Sequence, residues 1–236
     1  MNLSIIITCY NNCQSINEAI ESVKNITFKD WECIIINDGS TDNSEEIILE
    51  SIEGDERFKL ITTQNNGVAN ARNLGLKLAS NQWCLLLDGD DLLMKDYPKK
   101  AMNALSKNNE SIIYFGGVKC SGMLNTTFHS KWEGYEKMLT RPCIFISAIF
   151  KREIALNING FNPNLEAMED YDFWIRYLHH NHQDKSIIND PMEIMIEYRT
   201  HRDSRHFSQG NMKIMKILDE IKKLNKEIYE EYQIKT

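Results

Sequence analysis

The sequence predicts an α/β protein built on a mostly parallel sheet flanked by helices. Two observations carry that prediction. Apolar runs of strand length alternate with segments of helical periodicity through the first ninety or so residues. One such run, Trp83-Cys84-Leu85-Leu86-Leu87, then ends abruptly in Asp88-Gly89-Asp90-Asp91. Strands buried on both faces read as continuous apolar runs, and ligands bind just beyond their carboxyl ends. Carboxylates crowded that closely repel one another unless a cation or a basic side chain joins them.

Taken in order, Leu3 to Thr8 reads as the first strand, followed by a helix with Ile16, Ala19, Ile20 and Val23 inward and Ser15 and Glu18 as a capping box. Trp31 to Ile36 is the second strand, ending in Asn37-Asp38-Gly39-Ser40-Thr41-Asp42, with Asp42 or Ser44 capping the next helix. Phe58 to Thr62 is a short third strand, and Gly67 opens a third helix whose inner face is Val68, Ala71, Leu74 and Leu78. Beyond Asp91 the pattern loosens. Pro98 suits the first turn of a helix containing Ala101, Met102 and Leu105, and Ile112 to Phe115 reads as a strand stopped by Gly116-Gly117. Residues 118–141 look loop-rich around a helical piece from Glu133 to Leu139, and Ile144 to Lys151 is strand or buried segment. A helix follows Glu169-Asp170-Tyr171-Asp172. Strands are expected at Ile187–Asn189 and Met192–Glu197, and one amphipathic helix from Met212 to Ile228.

Composition narrows the class. With 236 residues, 26% charged and 42% hydrophobic, the chain is an ordinary globular protein, and its net charge of −7 argues against a large nucleic-acid surface. The six cysteines show no C-x-x-C spacing, so neither a zinc site nor a disulfide framework is expected, and a reducing compartment is. No apolar stretch approaches the roughly 18 residues that span a bilayer. A cytoplasmic location follows as the expectation, with peripheral membrane association left open. No G-x-G-x-x-G follows the first strand, which counts against a dinucleotide-binding fold. Gly117 and Gly122 have P-loop spacing, but Met123 stands where the lysine belongs.

In a parallel sheet, the loops after the first, second and fourth strands share one edge. There Tyr10 offers a flat face to a base, Asp38 an acceptor for a base or ribose donor, and Asp88 and Asp90 ribose contact and metal ligation. Ordinary turn chemistry explains one such loop; three on one edge favour a nucleotide-diphosphate site.

The segments Ser4–Asn11, Ile36–Asp42, Gly67–Gly75, Leu87–Asp91 and Glu169–Arg176, in that order, resemble family 2 glycosyltransferases over roughly residues 3 to 205. The resemblance implies the GT-A fold, a Rossmann-like sheet, with a glycosyltransferase domain over 1–205 and a C-terminal amphipathic helix over 206–236. Its nucleotide-binding half would cover about 1–115 and its acceptor half 116–205. It implies inverting transfer from a nucleotide-sugar donor, UDP by preference, to a saccharide or lipid-linked acceptor, as in surface polysaccharide synthesis. By position, Thr8, Tyr10 and Asp38 would hold base and ribose, Asp88 the ribose or donor sugar, and Arg72 the diphosphate or the acidic cluster. Asp90 would bind Mn2+ or Mg2+, with Asp91 as an alternative ligand and His201 completing the shell. Asp170 would be the general base, flanked by Glu169 and Asp172 to orient the acceptor. His179, His180 and His182 are expected to cap a helix end rather than bind metal. The lysine-bearing tail helix is expected to pack on its own domain, with a dimer or membrane-surface contact as alternatives. Competing functions are a nucleotidyltransferase and a non-catalytic nucleotide-sugar-binding protein. The first lacks a triphosphate loop, and the second would require loss of Asp170.

Overall fold

The computed structural model describes residues 1–180, 186–201 and 211–234. Its first half follows the predicted order: β1 (Leu3–Cys9), α1 (Ile16–Lys24), β2 (Trp31–Asn37), α2 (Ser44–Ile52), β3 (Phe58–Thr62), α3 (Val68–Leu78) and β4 (Trp83–Asp88). Every residue of β1 is buried, as a strand covered on both faces requires. It lies between β2 and β4, parallel to both, with Thr8 level with Ile36 and Asp88. The carboxyl ends of the three strands therefore form one ledge.

The second half comprises β5 (Leu92–Leu93), α4 (Tyr97–Lys107), β6 (Ile113–Gly122), β7 (Thr126–Phe128), α5 (Tyr135–Met138), β8 (Ile149–Lys151), α6 (Arg152–Asn157), α7 (Glu169–His179), β9 (Ile187–Thr200), α8 (Asn211–Leu224) and α9 (Lys226–Glu231). Among the described residues one nine-stranded sheet runs β3-β2-β1-β4-β8-β6-β9-β5, with β7 paired to β6. β6 runs through residue 115, so the sheet is continuous where the sequence divides the nucleotide and acceptor halves.

Several local expectations are corrected. β6 does not stop at Gly116-Gly117: it continues to Gly122, and the pairing with β9 jumps there from Gly116↔Asp190 to Gly117↔Ile194. The bulge holds Pro191, which cannot donate to a ladder, and joins the two expected strands into β9. Gly116 permits it, since a Cβ there would lie 2.2 Å from the Glu193 carbonyl oxygen. The Ser15/Glu18 capping box does not form. Ser15 gives its hydroxyl to the Gly89 carbonyl at 3.1 Å, and Glu18 pairs with Arg199. The residue before α2 is Asn43; Asp42 acts one position earlier, accepting the amides of Ser44 and Cys13. The expected single tail helix is two, broken at Asn225, and it packs on its own domain by burying Ile217, Ile221, Ile228 and Tyr229.

The core under α7 is aromatic. Phe150 of β8 meets Phe173, Trp174 and Tyr177 edge-on, and Phe173 stacks on Phe161 at 4.2 Å. This packing fixes the helix that carries the late acidic motif against the sheet. All six cysteines are free thiols.

Candidate active site

A cleft of about 470 Å³ opens along the ledge formed by β1, β2 and β4. Of the predicted residues, Thr8, Tyr10, Asp38, Asp88, Asp90, Glu169 and His201 line it. The strand register explains the convergence, because Thr8 and Asp88 stand side by side and the Thr8 hydroxyl donates to Asp88 at 3.1 Å.

Tyr10 stands 46% exposed at the rim, its face open to a ring. Its loop is tied to the one after β2: the Asn11 amide donates to the Ser40 hydroxyl, and the Asn11 side-chain oxygen accepts the Thr41 amide at 2.8 Å. Asp38 is buried beside them. One carboxylate oxygen accepts the Asn66 amide and the Thr63 hydroxyl, the other the Gly67 amide at 2.8 Å. Asp38 thus shapes the loop that opens α3 as well as facing the cleft.

Arg72 is the electrostatic hub. Only 2% exposed, it projects from α3 and donates to Asp88 at 2.8 Å and to Glu169 at 2.7 Å, joining the end of β4 to the start of α7. The Phe161 ring lies 5.5 Å from the guanidinium carbon. Burial opposes the charge, but Asp88, Glu169 and Asp170 outweigh it and raise the guanidinium pKa. Arg72 therefore faces the acidic cluster; it is not a surface ion pair.

The metal-type residues divide. Asp90 lies 3.1 Å from the His201 ring nitrogen Nε2, although 111 positions separate them. Burial first, and then the neighbouring Asp88, push the Asp90 carboxyl upward, while His201 counters. Asp91, the alternative ligand, is 1% exposed and turned into the sheet, where it accepts the Arg199 amide at 3.0 Å. Burial, Asp90 and Asp88 hold it well above the usual carboxylate range. Among the described residues no group of three metal-ligating side chains assembles.

On the opposite wall, Glu169 is buried on Arg72, so its carboxylate is committed to the ion pair that joins the two walls. Asp170, the next residue, is partly buried and not among the residues that line the cleft, and it accepts the Tyr171 amide at 2.9 Å. Asp172, expected to orient an acceptor, is not among the residues that line the cleft. It is 1% exposed and faces away from the cleft, bonded to Arg176 and Asn225. Helical geometry explains this, because residues two apart point in different directions. His179 stacks on Tyr135 at 6.3 Å and lies 3.8 Å from Glu231; His182 and the Arg202–His206 stretch lie outside the described residues.

Sequence reasoning missed Asn65, Asn66, Leu165 and Glu166, which also line the cleft. Asn65 and Asn66 precede the Gly67 that opens α3, and Leu165 and Glu166 precede the late acidic motif, so adjacency was their one available signal.

A mostly parallel sheet curled around such a cleft and flanked by helices has the architecture of the GT-A fold. Residues 4–182 match the model of glycosyl transferase family 2, and the chain belongs to that family. An Escherichia coli protein named UDP-Glc:alpha-D-GlcNAc-diphosphoundecaprenol beta-1,3-glucosyltransferase is 30% identical over 76% of this chain and 70% of its own length. The fold is shared with Staphylococcus aureus TarS residues 1–349 in complex with UDP-GlcNAc (TM-score 0.76, 20% identity, 94% of this chain and 66% of that one). It is shared too with a Pyrobaculum calidifontis mannosyltransferase in complex with GDP-Man and Mn2+ (TM-score 0.65, 18% identity, 87% and 58%). The match thus covers 70%, 66% and 58% of these three chains, and 39% of a longer TarS chain.

Proposed function

We propose that the protein is an inverting, metal-dependent glycosyltransferase that moves a sugar from a UDP-sugar to a saccharide or lipid-linked acceptor. The observation that carries this reading is the joining of two walls of one cleft, the Asp88–Asp90 strand end and the Glu169–Asp170 turn, through the buried Arg72. Tyr10 and Asp38 line the cleft and would hold base and ribose, and the UDP-GlcNAc complex of the TarS neighbour and the UDP-Glc in the E. coli relative's name favour UDP. That relative's diphosphoundecaprenol acceptor supports a lipid-linked one here.

The donor set fits a hard divalent ion. A partly buried carboxylate with a raised pKa, held by one imidazole, favours added positive charge, and oxygen with imidazole nitrogen suits Mn2+ or Mg2+. Asp90 and His201 would hold it, leaving other positions to diphosphate oxygens and water. When bound, such an ion stabilises charge on the leaving diphosphate. Asp170 takes the proton from the acceptor hydroxyl as that oxygen attacks the anomeric carbon from the side opposite the diphosphate. Arg72 holds Asp88 and Glu169 in register and supplies fixed positive charge at the cleft wall.

Calorimetric titration with UDP, GDP and dTDP, each with and without Mn2+, tests the reading. UDP binding that requires Mn2+ and is lost in Asp90→Ala is the expected result. Metal-independent binding would overturn the metal assignment and move the non-catalytic binding protein ahead, and binding of no nucleotide would overturn the donor site itself.

A further inference from the structure

We propose that the two C-terminal helices brace the helix bearing the general base, and that Asn225, where they meet, is the positioning residue that locks it. The inference rests on the reading of Asp170 as base.

Asn225 is buried, 6% exposed, and its side-chain amide donates to Asp172 Oδ1 at 2.8 Å. The other oxygen of Asp172 accepts from Arg176 Nε at 2.9 Å and Nη2 at 2.7 Å. Arg176 also donates to the carbonyls of Ile158 and Gly160, each at 2.8 Å. The next residue, Phe161, exchanges two 2.8 Å hydrogen bonds with the side chain of Asn73, giving its amide and accepting through its carbonyl. Asn73 adjoins Arg72 on α3, and Arg72 holds Glu169. The chain of bonds is therefore closed: it runs from Asp172 to Arg176 within α7, leaves the helix at Arg176 and returns to it at Glu169. Asp170 lies between these two points. Its first-turn neighbours are pulled one toward α3 and one toward the C-terminal helices.

That turn needs support from outside. Met168, immediately before α7, has a left-handed backbone (φ 57°), which a non-glycine residue adopts only when its surroundings hold it there. A second tie acts on the cleft wall, where Lys213 of α8 pairs with Glu166 at 2.7 Å. Because Asn225 offers a neutral donor to a carboxylate already paired with Arg176, removing it leaves a buried oxygen short of a partner and the first turn of α7 without its tie to the C-terminal helices.

Hydrogen exchange and turnover on the full chain test the inference, with Asn225→Leu and, should that variant not fold, Asn225→Ser. Amide exchange in residues 168–174 is expected to rise about tenfold while β1–β4 stay protected, since local opening is read segment by segment. UDP release from UDP-glucose or UDP-N-acetylglucosamine should fall about tenfold or more with UDP affinity within about twofold, the signature of lost alignment rather than lost binding. Unchanged exchange in 168–174, or turnover and UDP affinity falling together, would overturn the brace. Asp170→Asn is run beside it. Turnover surviving in that variant overturns the general-base reading, and with it the route by which Asn225 acts. A dead Asp170→Asn with fully active Asn225→Leu overturns the brace alone.

Discussion

Arg72 shows what a single residue costs when it is itself buried between two carboxylates. Two carboxylates, Asp88 and Glu169, depend on it, and it is 2% exposed. Arg72→Ala should destabilise the protein by about 3–5 kcal/mol in urea denaturation, because it leaves buried charge uncompensated. Asp91 makes the opposite case. Its pKa is raised well above the ordinary carboxylate value by burial and by Asp90 and Asp88, so the fold prefers the protonated form. The sign follows: this stabilising preference is complete in acid, below the unfolded pKa of about 3.9. It is lost as pH rises through the higher folded value. In EDTA, Asp91→Asn should therefore melt higher than wild type at pH 7 and approach it below about pH 4. The amide oxygen of the variant can still accept the Arg199 N–H, so the comparison isolates the charge. Equal melting temperatures at pH 7 would refute the assignment.

At the scale of elements, α3 lies close on the sheet. Gly75 faces Ile6 of β1, and a Cβ at that position would come within 2.3 Å of Ile6 Cγ2. Gly75→Ala gains up to about 1 kcal/mol of helix propensity. It must also displace α3 or the Ile6 side chain, at about 1–3 kcal/mol. A net loss of about 1 kcal/mol by chemical denaturation is expected, together with weaker nucleotide binding, since the same helix carries Arg72. Loss of stability with unchanged UDP binding would show that the packing is decoupled from the site. Elements also explain the misread boundaries. Gly116 and Pro191 look like strand breakers singly, but opposite one another they form one bulge that both strands pass through. Asn225 breaks the tail helix for a reason the periodicity of Ile221 and Ile228 does not carry, namely its bond to Asp172 on another helix.

For the molecule as a whole, the cleft joins the first half of the sheet to α7 and to the end of β9, so ligand binding should stabilise the entire chain. UDP with Mn2+ at about 100 times its Kd should add about 2.7 kcal/mol, seen as a concentration-dependent rise in Tm. Asp90→Ala should abolish the rise, and a shift of equal size with GDP would count against UDP preference. Among the described residues no helix is long and apolar enough to cross a membrane. Met212 and Met215 of α8, 84% and 58% exposed, stand beside Lys213 and Lys216 on the helix whose packing on its own domain was the expectation and a membrane-surface or dimer contact the alternative.

The sequence by itself determined the parallel half of the sheet, its helices, and the ledge on which Thr8, Tyr10, Asp38, Asp88 and Asp90 meet. Those features are local: apolar runs and helical spacing set the elements, and a parallel arrangement forces their carboxyl ends to one side. It also placed the late acidic motif and His201 by their resemblance to a family. Only the tertiary structure decided which partners each acid takes. Glu169, Asp170 and Asp172 are near-equivalent in a string of letters. In three dimensions they part: Glu169 goes to Arg72, Asp172 to Arg176 and Asn225, and Asp170 lies between those anchors. The same holds for Asp90, beside His201, against Asp91, buried on β9. Adjacent carboxylates differ in their partners, and the partners come from segments up to 111 residues away, at separations where sequence spacing carries no distance information.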